Sequence, residues 1–150
     1  LFGDLNQIKP LPTYRTFVTR LLQIYHDRKP AEAMDLPTAD QVKYLCAVGL
    51  GPIPFQVYGN IFKQLDPTLF AVLQSADLTI RLLYSQLQKA TIELTGELQQ
   101  AGIRPTLLQG ISVAEQLYTP PHLRLMSDID LLIQPSEVDV VMTKVTELGY

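Results

Sequence analysis

The chain has 150 residues, 47 % of them apolar and 18 % charged. That is enough for one ordinary globular domain or two small ones, and it excludes a disordered chain. The formal net charge of −3 excludes a global pull toward nucleic acid, while leaving room for a local basic cluster. The single cysteine, Cys46, excludes an intrachain disulfide and fits a cytoplasmic location; in "VKYLCAVGL" it reads as a small core residue.

The first hundred residues read as helical. "TYRTFVTRLLQIYHDR" places Phe17, Leu21, Ile24 and Tyr25 on one face at helical spacing. Pro30 and "EAMDLP" interrupt it. "PTADQVKYLCAVGLG" predicts a second helix, with Thr38 and Gln41 as a capping box and Gly49 or Gly51 as the stop. Pro52 and Pro54 are expected to break the path before a short third helix through Val57, Ile61 and Phe62. Asp66 then caps a long helix with Pro67 at its first position. Along it Leu69, Leu73, Ala76, Ile80, Leu83, Leu87, Ala90 and Leu94 form a seam of near-heptad period, extended by Leu98 and Ala101. A coiled-coil homodimer is one reading of that seam. Its two alanines and irregular flanking charges favour packing within the chain. Gly102 is the predicted cap.

After Gly102 the period changes. Thr106 to Leu108 predict a strand, Gly110 opens a brief helix, "ISVAEQLY", and Thr119, Pro120 and Pro121 close it. "DIDLLI" predicts the second strand. A last helix follows Pro135 and Ser136, with Val138, Val141, Met142, Val145 and Leu148 inward and Gly149 as cap. The expected architecture is therefore α+β and mostly α. A helical bundle with one long helix spans 1–102, and the start of a mixed β-sheet with helices spans 103–150. Two short strands make a poor sheet, so the sequence is expected to be truncated at its C-terminal side. No charged-then-apolar leader is read at its start, which is Leu1 rather than Met, so the start is expected to be missing or processed; no apolar run approaches the ~18 residues of a membrane span.

The chemistry concentrates in "RLMSDIDLLI", residues 124–133. On a strand, residues two apart share a face, with Cα atoms about 6.6 to 7 Å apart. Asp128 and Asp130 should therefore project together, while Ile129 and Leu131 turn to the core. Two carboxylates near a common point repel by about 1 kcal/mol in water and about 4 kcal/mol at an effective dielectric of 20. A divalent cation reverses that sign, and hard oxygen ligands suit Mg²⁺ or Mn²⁺. Gly110, between strand and helix, would let a phosphate approach the backbone and free N–H groups. Without a ligand, the two acids would be a solvated face and the glycine a simple turn.

Together these residues resemble the DNA polymerase beta-like nucleotidyltransferase superfamily. The closer resemblance is to a bacterial group of uncharacterised nucleotidyltransferases, carried by "AGIRPTLLQGISVAEQLYTPPHLRLMSDIDLLI", residues 101–133. It implies a nucleotidyltransferase-like sheet, with Asp128 and Asp130 as catalytic metal ligands. It also implies a nucleotide-binding set of Gln109, Gly110, Ser112 and Arg124. The plain alternative for Arg124 is a surface pair with Glu115 or another acid; Arg104 and His122 are weaker candidates and read as solvated. This chain departs from the pattern in three ways. Gln109 stands where the group has lysine and cannot supply positive charge. Ile111 rather than serine follows the glycine. The third carboxylate, normally on a later strand, has no good candidate in Glu137 or Asp139.

The resemblance implies an Mg²⁺-dependent enzyme that moves a nucleoside monophosphate from a nucleoside triphosphate to an acceptor: a small molecule, a protein side chain or an RNA end. The rival is a nucleotidyltransferase-like binding or scaffold module without turnover, and a third reading makes the long helix an interaction surface.

Overall fold

The computed structural model describes residues 12–27 and 36–150. The interruption expected at Pro30 falls outside them, as does most of "EAMDLP". In chain order the elements are α1 (Pro12–Asp27), α2 (Ala39–Ala47), α3 (Pro52–Leu65), α4 (Pro67–Gln100), β1 (Thr106–Leu108), α5 (Gly110–Leu117), β2 (Asp130–Leu132) and α6 (Val138–Glu147). The fold is α+β and mostly α, as the sequence predicts. Contacts divide it into two compact units, one up to Ile80 and one from Arg81. The division falls inside α4, whereas the sequence marks its change of period at Gly102.

In the first unit, Leu21 of α1, Val42 and Leu45 of α2, Ile53, Tyr58 and Phe62 of α3, and Leu73 of α4 form one buried cluster. The capping box at α2 forms: the Gln41 N–H donates to Thr38 Oγ1 at 3.3 Å and the Thr38 N–H to Gln41 Oε1 at 2.8 Å. Cys46 lies half-buried against this core, and burial raises its thiol pKa, as befits a packing residue. One expectation is corrected. Pro52 and Pro54 do not precede a short helix; both are buried in the first turn of a 14-residue one. A first-turn N–H has no intrahelical acceptor, so proline forfeits nothing there.

Asp66 starts α4 as expected, its Oδ1 accepting from the N–H groups of Thr68 and Leu69 at 3.1 and 3.0 Å. The seam is used within the chain. Leu73 enters the first cluster; in the second unit Leu94 and Leu98 bury against Ile103 and Val141, and Leu87 packs beside Ile111, Ala114 and Met126. At the end of α4, Gly102 adopts φ +82°, and the Ile103 N–H reaches back to the Leu98 carbonyl at 2.9 Å. Glycine makes that left-handed turn without steric cost.

The second unit is a two-stranded antiparallel ribbon with α4's C-terminal half, α5 and α6 around it. Thr106 pairs with Leu132, Leu107 with Leu131 and Leu108 with Asp130. Leu131 and Ile133 turn their face to Leu94, Leu98, Ile103 and Val141. The inward set expected on α6 is narrower than predicted. Val141, Val145 and Leu148 pack, but Val138 and Met142 are exposed. The surface they meet, one half-helix and a two-stranded ribbon, accommodates only a single stripe.

Candidate functional site

The site grows from the register of the ribbon. Directly opposed residues of an antiparallel pair project to the same face. Asp130 therefore shares a face with Leu108, and by alternation with Thr106 and Leu132. That face is open: Leu108, Thr106 and Leu132 are all exposed. Regular pairing begins at Asp130 rather than at Asp128, so the predicted strand is shorter than "DIDLLI". Asp128 lies in the run leading into β2 and is exposed, while Ile129, Leu131 and Ile133 are half-buried.

Continuing the register sets Gly110 across from Asp128, and the distance agrees. A Cβ built on Gly110 would lie 3.5 Å from the Asp128 carbonyl oxygen and 3.8 Å from Met126 Sδ. Those are ordinary contacts, and Gly110 has no positive φ. The fold itself therefore does not require glycine there. The hinge strain sits one residue earlier: Gln109 has φ 44°, ψ −131°, which a side chain rarely tolerates. Gln109→Gly should therefore stabilise the chain by about 1 kcal/mol. Chemical denaturation of the variant checks this, and an unchanged or lower stability would mean that the Gln109 side chain offsets the strain.

Helix α5 starts at Gly110 with no side-chain cap. Its first intrahelical bond runs from the Val113 N–H to the Gln109 carbonyl at 2.9 Å. The amides of Gly110, Ile111 and Ser112 thus have no acceptor within the helix. The helix is held to α4 by a contact that spacing alone does not suggest. The Tyr84 hydroxyl donates to Glu115 Oε1, and Gln88 Nε2 donates to the same oxygen at 2.8 Å. Burial, then the bond to Glu115, raises the pKa of the Tyr84 phenol, which remains a donor. These partners lie about thirty residues apart in sequence, beyond any local pattern. Glu115 is consequently not paired with Arg124.

Arg124 is half-buried, and its Nε is fully buried without a hydrogen-bond partner. Ser112 accepts a bond from Gln116 Nε2 at 2.9 Å and lines a groove with Leu107, Gln88 and Thr91, apart from the acids. His122, expected in solvent, is 4 % exposed. It sits in the turn Pro121–Leu123 and is not without a partner there. Arg104 is exposed, as expected.

Among the described residues, neither carboxylate of Asp128 and Asp130 has a hydrogen-bond or ion-pair partner. Two free hard-oxygen donors fit a cation such as Mg²⁺, which keeps waters and takes phosphate oxygens as further ligands. No third His, Cys, Asp or Glu gathers with them among those residues.

The family comparison makes this glycine-led helix beside an acid-bearing ribbon part of a nucleotidyltransferase-like domain. The chain belongs to the family described as uncharacterised nucleotidyltransferase, whose model matches residues 39–150. No curated protein and no solved structure matches it. Among the described residues no helix is long and apolar enough to cross a membrane.

Proposed function

We propose that this domain transfers a nucleoside monophosphate from a nucleoside triphosphate to an acceptor, with Asp128 and Asp130 holding Mg²⁺ or Mn²⁺. The observation that supports it best is the conjunction, among the described residues, of two unpartnered carboxylates with a glycine at an uncapped helix start, where an added Cβ would stand in ordinary contact with the Asp128 carbonyl. Bound there, the cation supplies positive charge that offsets the triphosphate and the charge developing on its oxygens.

The chain's own groups bind and orient. The free amides of Gly110 and Ile111 receive a phosphate oxygen. Arg124 offers guanidinium donors to a phosphate. Gln109 hydrogen-bonds a phosphate or ribose without adding charge. In the transfer, a lone pair on the acceptor oxygen forms a bond to the α-phosphorus. The bond from that phosphorus to the bridging oxygen breaks, and pyrophosphate leaves with the electron pair. The acceptor's proton passes to a carboxylate or to water. A net charge of −3 counts against a long nucleic acid as acceptor.

Gly110→Ala tests the phosphate turn. The added methyl meets only ordinary contacts, so folding should be unchanged. Nucleotide affinity should fall roughly tenfold, the equivalent of one displaced hydrogen bond to a charged group. Calorimetric titration with ATP and GTP in Mg²⁺ measures it, and undiminished affinity would refute the placement of the phosphates. A second reading, a binding module without turnover, is favoured by the neutral Gln109 and the absence of a third acid among the described residues. It predicts metal-dependent nucleotide binding with no pyrophosphate released.

A further inference from the structure

We infer that the open face of the ribbon also carries the acceptor's seat, a groove anchored by Arg104 that takes an acceptor bearing an anionic oxyacid group, carboxylate or phosphate, beside a short apolar body. This rests on the transferase reading of Asp128 and Asp130. A groove of about 580 Å³ opens at the end of the ribbon away from Gly110, lined by Arg104, Thr106, Leu132, Gln134, Pro135 and Glu137 among others. Thr106 and Leu132 are a cross-strand pair on the Asp130 face. The groove therefore begins two residue pairs beyond Asp130, about 7 Å along the ribbon.

Direction follows from the reaction. In phosphoryl and nucleotidyl transfer the attacking and leaving oxygens lie roughly in line on opposite sides of the phosphorus. With the departing pyrophosphate at Gly110, the acceptor must arrive from the Leu132 side, and the groove lies there.

The lining sets the chemistry. Gln134 and Glu137 are occupied with each other as a capping box, with the Gln134 N–H donating to Glu137 Oε2 at 2.9 Å. Arg104 has no hydrogen-bond or ion-pair partner among the described residues. It is the one positively charged side chain in the groove's lining, which also holds the acidic Glu137, and a guanidinium fork matches a carboxylate or a phosphate. Leu132, 58 % exposed, and Pro135 provide apolar walls. An anion on the acceptor is repelled by Asp128 and Asp130, so its anchor must lie away from them. The ribbon spacing sets roughly 7 to 13 Å between the acceptor's nucleophile and its anionic group.

The test is an NMR titration of the full-length ¹⁵N-labelled chain with benzoate, phenyl phosphate and inorganic phosphate. Saturating amide shifts are expected at Gly102, Arg104, Thr106 and Leu132, stronger for the two aryl probes than for inorganic phosphate. The tighter aryl probe tells carboxylate from phosphate. Arg104→Ala should weaken the aryl probes at least tenfold and Arg104→Lys less, both with unchanged melting, because Arg104 is exposed and has no partner among the described residues. Binding indifferent to Arg104→Ala, or shifts outside the groove, overturns the seat. So does an Mn²⁺-free ATP titration that shifts Leu132 and Arg104 instead of Gly110, since the groove would then belong to the nucleotide. Paramagnetic broadening by Mn²⁺ is read separately at Asp128 and Asp130; its absence overturns the metal site itself, whatever Arg104 does.

Discussion

Asp130→Asn is expected to weaken Mn²⁺ binding by at least ~10²-fold without lowering the melting temperature. Loss of a group that merely orients a metal ligand already costs about 10- to 100-fold in affinity, so loss of a ligand should cost no less. Stability should move the other way. Asp130 is half-buried, faces an open side of the ribbon and, among the described residues, makes no hydrogen bond or ion pair that the substitution would break. Removing its charge also takes away any repulsion from Asp128. Asp128→Asn should behave alike, since Asp128 is exposed and equally unpartnered. Titration followed by Mn²⁺ electron paramagnetic resonance, beside a thermal melt, measures both halves. Unchanged Mn²⁺ affinity in both variants would reduce the acids to a solvated edge.

Leu98→Ala should destabilise the second unit by about 2–5 kcal/mol, the usual range for deleting a fully buried leucine side chain. Leu98 is completely buried among Leu94, Ile103 and Val141, with Leu131, Ile133, Val145 and Leu148 packed around them. Its carbonyl also accepts the Ile103 N–H that closes the helix cap. The cavity would open directly behind the strand that carries Asp130 on its other face. Urea unfolding measures the loss. Hydrogen exchange at Leu131 and Ile133 should accelerate in the same variant while exchange at Leu45 and Phe62, in the other unit, holds. A uniform acceleration would mean that the two cores unfold as one.

Much of the architecture was legible because it depends on local rules. The Asp66–Pro67 start of α4, the Thr38 box and the turns at Gly49, Gly102 and Gly149 are set by a few consecutive residues, and all occur in the structure. Strand β1 falls where the period changes. Errors arose where a local rule had two outcomes. Proline breaks a helix interior yet suits its first turn, and Pro52 and Pro54 took the second. Val138 and Met142 fit an inward face by spacing, but the surface opposite α6 is too narrow to cover them. His122 is polar, which predicts solvent; it is buried instead, with a partner that sequence does not reveal.

The sequence by itself determined the element types, the family and the two acids two residues apart beside a strand, because strand period and turn chemistry are properties of neighbouring residues. Only the tertiary structure decided that Gly110 meets the Asp128 carbonyl, that Glu115 binds Tyr84 instead of Arg124, and that Arg104 shares a groove with Leu132. Those relations join residues roughly twenty to thirty positions apart. They are set by cross-strand register and by burial of the ribbon's other face against Leu94 and Leu98, which no short stretch of chain encodes.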